Sequence, residues 1–270
     1  MAPSSFAKDK QIIGFWGKPT STLDWCEENY VKTVYIAEFW NTISNLIMIL
    51  PPFVCALYYW HKKMEMRYVW ANISLLAVGV GSWMFHMTLW YEMQLLDELP
   101  MIYGTCVFLY ALHHHATPVK QKSYPYIVSL VSVSVLVTVV YLQWKNPVFH
   151  QVCYAALVVF LLYEAILALK NYPSIKPIVL ASLCFYLFGF FLWNVDNVFC
   201  SNLRKMRSSS DSELVTAATQ LHAWWHIFTG YGTYLHIVFS SQARLLHLKR
   251  ECKITKLGNF WPYLSVGEKS

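Results

Sequence analysis

Apolar runs of about twenty residues, the length that crosses the hydrocarbon core of a bilayer, can be placed seven times along this chain. They fall near Ile36–Trp60, Tyr68–Trp90, Gln94–His113, Tyr126–Gln143, Phe149–Leu169, Lys176–Phe199 and Ala218–Leu246. Only 13% of the residues are charged and 56% are hydrophobic, whereas a soluble domain carries roughly a quarter charged residues. Mean hydropathy is +0.36. Soluble-domain readings are excluded. The expected fold class is all-α, a polytopic membrane protein built as one seven-transmembrane helix bundle. Residues 1–35 form a polar N-terminal segment, 36–246 the membrane domain and 247–270 a polar tail. No internal repeat is visible, and the Ser- and Arg-rich stretch 201–217 reads as a mobile loop.

Orientation follows from the basic residues, which favour the cytosolic side. The first 35 residues carry Lys8, Asp9, Lys10 and Lys18 and no apolar stretch of a cleavable leader. With the N-terminus lumenal, cytosolic segments hold 13 of the 21 Lys and Arg residues, among them Lys62, Lys63, Arg67, Lys120, Lys122, Arg244, Lys249 and Lys269. The C-terminus is then cytosolic. Basic flanks of membrane helices account for the net charge of +6, so no nucleic-acid partner is called for. Of seven cysteines, Cys55, Cys106, Cys153 and Cys184 lie in spans, and Cys252 lies in the reducing cytosol. Cys26 and Cys200 remain as the disulfide pair on the lumenal side. The Asn72-Ile73-Ser74 sequon is inside a span and is not a glycan acceptor.

Polar groups placed by depth, at 1.5 Å per helical residue, converge on one face of the membrane. His86 lies near the lumenal end of the second span, and Asp97 lies a turn into the third. His222 and His226 open the seventh in "QLHAWWHIFTG" (220–230). Residues i and i+4 share a helix face, so both rings can reach one ion, and His86 from a neighbouring helix completes a set of three. Three imidazoles with an open fourth position are the pattern of catalytic zinc. The bland alternative is hydrogen bonding between helices. Ser82 in "GSWMFH" shares the face of His86. Asp196, beside Asn194 and Asn197, is a candidate acceptor for the ring N–H of a ligand imidazole, and His150 stays open as an alternative ligand. The "LHHHA" cluster, His113–His115, falls at the opposite membrane face and reads as interfacial. A haem or a di-iron centre fits these spacings less well.

These residues stand in stretches that resemble the alkaline ceramidase family. The matching stretches are "TSTLDWCEENY", "IAEFWNTISNLIMI", "GSWMFHMTL", "YEMQLLDELPMIY", "LWNVDNVFC" and "QLHAWWHIFTG". The resemblance implies kinship with the seven-span hydrolases that include adiponectin receptors. It also implies cleavage of the ceramide amide to a sphingoid base and a fatty acid, in endoplasmic reticulum and Golgi membranes. By motif it assigns zinc to His86, His222 and His226, with Ser82 and Asp97 completing the catalytic site. A regulatory calcium falls on Asp24, Trp25 (by its carbonyl), Glu27, Asn29 and Glu38. Without the resemblance, these would read as a solvated acidic patch; hard oxygens do suit calcium, but the spacing is not that of an EF-hand.

On this reading Asp97 relays a proton to the leaving nitrogen and Ser82 donates to the developing oxyanion. The residues alone reach an intramembrane zinc hydrolase of a lipid amide or ester; ceramide comes from the resemblance. The rival class is a seven-span receptor with a mainly structural zinc. A transporter would show broken helices or inverted repeats, and neither is present in the sequence. Oligomeric state is not legible.

Overall fold

The computed structural model describes residues 13–118, 123–258 and 261–267. Lys8, Lys10, Lys120, Lys122 and Lys269 of the charge count lie outside the described residues. The described chain runs through α1 (Phe39–Ser44), α2 (Leu46–His61), α3 (Met66–Thr88), α4 (Tyr91–His113), α5 (Tyr124–Trp144) and α6 (Pro147–Asn171). It continues through α7 (Lys176–Ser208), α8 (Glu213–Ala218), α9 (Leu221–His247), β1 (Cys252–Leu257) and β2 (Trp261–Val266). Proline in the first turn starts α5, α6 and α7, where its missing N–H costs nothing and its fixed φ suits the helix. Asn146 caps α6 by accepting from the Val148 N–H at 3.0 Å.

Six segments are long and apolar enough to cross a membrane: Phe39–His61, Met66–Thr88, Tyr91–Ala116, Tyr124–Trp144, Pro147–Asn171 and Pro173–Ser208. The chain is a mostly helical, multi-pass membrane protein. The seventh expected span, α9, falls outside that set for a physical reason. It sits inside the bundle against α1, α2, α3 and α7 and buries His222, His226, Thr229, His236, Ser240 and Arg244. These residues are three, four or seven positions apart, which keeps them on one helix face. A helix shielded from lipid tolerates a polar stripe that a lipid-facing helix does not. α5 is the converse: only Val137 and Tyr141 are buried along it.

Arg244 is 1% exposed and anchors the far end of α9. It donates to Glu65 Oε1 at 2.6 Å and to the carbonyls of His115 and Thr117 at 3.0 and 2.6 Å. Glu65 also accepts from Arg67. The cluster His113–His115 lies here, with His113 Nδ1 2.8 Å from Glu164 Oε1, far along α4 from Asp97.

Two stretches differ from expectation. The 201–217 loop is corrected: α7 continues to Ser208 past a non-helical Phe199, and 213–218 form α8. Arg204 and Arg207 hold that extension by donating to the Cys26 carbonyl at 3.0 and 2.7 Å. The polar tail contains an antiparallel hairpin, with Cys252 opposite Val266 and Leu257 opposite Trp261. It folds back along α9. Leu264 and Val266 are buried, the Trp261 ring lies 5.0 Å from Tyr231 and 4.9 Å from Tyr234, and Tyr234 donates to the Pro262 carbonyl at 3.0 Å.

At the other end the N-terminal segment closes the bundle mouth. The Thr20 and Ser21 N–H groups both donate to the Leu89 carbonyl at 3.1 Å. Cys26 and Cys200 form a disulfide with Cα atoms 5.4 Å apart. Cys55, Cys106, Cys153, Cys184 and Cys252 are free thiols.

Close approach of α3 to α4 rests on Gly81. A Cβ there would lie 1.8 Å from the Leu96 carbonyl oxygen, a backbone atom that cannot swing aside. Gly81→Ala is therefore expected to push the helices apart and destabilise the fold by roughly 1–3 kcal/mol. A thermal unfolding scan checks this; an unchanged Tm contradicts the packing.

Candidate metal centre

Two helices bring the three histidines together. α3 carries His86 in its last turn, and α9 carries His222 and His226 in its first two. Ring centroids lie 5.2 Å apart for His86–His222, 4.8 Å for His86–His226 and 4.7 Å for His222–His226. Their ligand nitrogens all lie within 4.8 Å of one another, the only such group of His, Cys, Asp or Glu among the described residues. All three rings are buried.

Their hydrogen bonds decide which nitrogens are free. His86 Nδ1 is paired with Glu38 Oε2 at 2.5 Å, leaving a buried Nε2 with no partner. His226 Nδ1 lies 3.1 Å from the Asn41 carbonyl, which only accepts, and 2.9 Å from the Ser44 hydroxyl. Its Nε2 is left with the lone pair. His222 stacks on the Trp25 ring at 4.0 Å, and its buried Nδ1 is unpartnered. Orphaned imidazole nitrogens are costly in a dry interior. A shared cation with nitrogen ligands removes that cost, so the trio fits a metal such as zinc.

Ser82 and Asp97 meet beside the trio. Ser82 faces the Asp97 carboxyl from the adjoining helix. Both line a cavity of about 360 Å³ whose walls are mostly apolar and which His222 and His226 also touch. His150 lines the cavity but belongs to a different contact, with its Nε2 2.8 Å from the Glu98 carbonyl. Asp196 is buried against the backbone of His222 and Cys26, with Oδ2 unpartnered; no bond from it to a histidine ring is formed. Asn194 and Asn197 donate to carbonyls a turn earlier, at 2.7 and 2.8 Å.

A second cluster surrounds the start of α1. Glu27 accepts from the Trp40 and Asn41 N–H groups at 2.7 and 2.8 Å, capping the helix. Asp24 Oδ1, Asn29 Oδ1 and Glu38 Oε1 are buried without partners. The Trp25 carbonyl accepts from Arg204 at 3.3 Å. Burial first, and then the charge of Glu38, pushes the Glu27 carboxyl up to about 8; burial also raises Asp24. Buried acids that resist ionisation, with hard oxygens lacking donors, suit a bound cation. Two links joined here were not visible in the sequence. Glu38 touches both clusters, and Trp25 lends its ring to one and stands in the other.

The fold and site define a class: a multi-pass helical membrane protein with a buried histidine trio opening onto an apolar cavity. The family model described as Ceramidase matches residues 17–265. Alkaline ceramidase 3 of Mus musculus is 49% identical over 250 residues, 92% of this chain and 93% of its own length. Alkaline ceramidase YPC1 of Saccharomyces cerevisiae is 33% identical over 263 residues, 90% of this chain and 83% of its own length. The alkaline ceramidase of Arabidopsis thaliana is 27% identical over 260 residues, 94% of this chain and 96% of its own length. The chain belongs to the alkaline ceramidase family of amide hydrolases.

The acidic cluster carries a pH signature. In cation-free protein, Glu27 holds its proton to about 8 when folded, against an ordinary value of 4.5. Between those values the folded state binds more protons than the unfolded one. The contribution is complete below the ordinary value and is lost as pH rises through about 8. Chelator-treated protein is expected to show a Tm that falls across this window, and Glu27→Gln to flatten the fall. Equal slopes in the two proteins contradict the buried-acid assignment.

Proposed function

We propose that the chain is a zinc-dependent intramembrane amidohydrolase that cleaves the N-acyl amide of ceramides to a sphingoid base and a free fatty acid. One observation carries the reading: three buried imidazoles with freed nitrogens stand beside the Ser82–Asp97 pair on an apolar cavity. That is a hydrolytic toolkit placed where a lipid's amide can reach it while its tails stay among apolar walls.

His86, His222 and His226 hold the metal. When bound, zinc supplies Lewis acidity and a water acidic enough to act as nucleophile near neutral pH. The chain's own residues do the rest. Asp97 accepts a proton from the attacking water and returns it to the leaving nitrogen. Ser82 orients the Asp97 carboxyl in the resting site and is placed to donate to the developing oxyanion. Glu38 accepts the His86 N–H, which fixes that ring and raises its basicity as a ligand. Trp25 braces the His222 ring.

Calcium activation follows from the second cluster. Asp24, Glu27, Asn29, Glu38 and the Trp25 carbonyl form the oxygen set. Glu38 would belong to this set while its Oε2 pairs with His86 and its Oε1 has no protein partner. The disulfide Cys26–Cys200 keeps the cluster at the bundle mouth. We further propose α9 as a seventh span. Residues 1–35 are then lumenal, 36–246 form the catalytic membrane domain, and 247–270 are cytosolic. The protein is placed in endoplasmic reticulum and Golgi membranes. The family resemblance supports that location, and the basic residues support the orientation.

Three variants test the roles. His222→Ala is expected to lose both zinc and turnover. Asp97→Asn keeps zinc and lowers kcat by about 10²-fold or more. Ser82→Ala keeps zinc with a loss on the order of 10²–10³-fold. Metal analysis and ceramide turnover on the same preparations check them. Full activity in Asp97→Asn removes its proton role, and absence of turnover in the unmutated, zinc-loaded protein favours the receptor reading.

A further inference from the structure

Beside Asp97, on the wall of the same cavity, stands a polar pair that the hydrolytic steps above do not use. Glu98 and His150 are both buried and both line the cavity. Their partners fix what each offers to it. Glu98 Oε2 accepts from Gln94 Nε2 at 2.9 Å and from the Tyr141 hydroxyl. Gln94 is itself held by the N-terminal segment, since its Oε1 accepts from the Thr22 N–H at 2.8 Å. Glu98 Oε1 has no hydrogen-bond partner among the described residues. His150 Nε2 faces the Glu98 carbonyl at 2.8 Å. A carbonyl only accepts, so Nε2 carries the ring proton and Nδ1 is left as an acceptor. Nδ1 and Glu98 Oε1 are 3.8 Å apart, too far for a hydrogen bond to each other.

Two acceptors thus face the cavity side by side, without donors, in an apolar surround. Unmet acceptors there are costly, and the occupant that relieves them must bring two hydrogen-bond donors. A ceramide does: its head carries hydroxyls on the two carbons that flank the one bearing the amide nitrogen. Glu98 follows Asp97 directly on α4, so a head held by Glu98 and His150 sets its amide beside the proton-relaying carboxyl. We propose that Glu98 and His150 form the subsite that binds the two head hydroxyls of the sphingoid base and so select diol-bearing substrates. The proposal rests on the ceramide-hydrolase reading and names the part of the cavity that recognises the head.

Sites that hydrogen-bond a substrate hydroxyl reject analogues lacking it strongly, because the partner is left unpaired. The experiment compares ceramide with two analogues of the same acyl chain, one lacking the primary and one the secondary head hydroxyl. Purified zinc-loaded protein, His150→Phe and Glu98→Gln are assayed for kcat and KM. Zinc content and Tm of each variant confirm that it is folded. Unmutated protein is expected to prefer ceramide by on the order of 10²-fold in kcat/KM over each analogue. His150→Phe should reduce the preference against one analogue by at least about tenfold, and Glu98→Gln that against the other, with the larger change in KM. If one variant fails to fold, the other decides. Equal turnover of ceramide and both analogues by unmutated protein, or full discrimination retained in a folded variant, overturns the subsite alone. No turnover of any ceramide by unmutated protein overturns the hydrolase reading and the subsite with it.

Discussion

The contact on which the site depends is the buried one between Glu38 and His86. Glu38 is 0% exposed, and its Oε2 lies 2.5 Å from His86 Nδ1 while also accepting from Asn41 Nδ2 at 3.0 Å. A carboxylate stripped of water without partners costs several kcal/mol. Here the loss is offset by the imidazole and by the Asn41 side-chain amide. The same oxygen that stabilises the acid sets the tautomer of the ring, and the tautomer aims Nε2 at the other two histidines. Loop geometry at the start of α1 is thereby tied to ligand geometry at the end of α3.

That contact survives because the bundle is built inside out relative to a soluble protein. Polar side chains are concentrated along α9 and the facing turns of α3 and α4, while α5 and α6 present apolar surfaces outward. Gly81 lets α3 and α4 meet at backbone distance, which sets Ser82 and Asp97 on the wall of the same cavity. The N-terminal segment, held by the disulfide and by Arg204 and Arg207, closes the mouth over Trp25 and His222. Arg244 and Glu65 pin the opposite end of α9. A helix clamped at both ends is a stable base for two of the three clustered histidines.

Much of this was legible in the amino-acid order. The i, i+4 spacing of His222 and His226 defines a shared face, and counting rise per residue puts His86 and Asp97 at their depth. The disulfide followed from topology. What escaped depended on contacts that no local pattern encodes. Glu38 and His86 are 48 residues apart, and only packing reveals that one acid serves two clusters. The continuation of α7 past Phe199 was hidden by serines and arginines that look like loop until Cys26 supplies carbonyls for the arginines. The hairpin at 252–266 was read as a polar flank because its alternating residues bury only one face against α9. α9 was legible as an apolar run, yet its polar stripe keeps it from standing among the six strongly apolar segments.

The most direct test of the whole arrangement is zinc K-edge X-ray absorption on purified, detergent-solubilised protein, with metal content measured on the same sample. The account predicts one zinc per chain, bound by three imidazole nitrogens and one further light-atom ligand, with no sulfur in its shell. Replacing Glu38 by Gln should leave the three nitrogens but broaden their distances. A sulfur-containing or fully protein-closed shell, or protein that is active with no zinc, would contradict it.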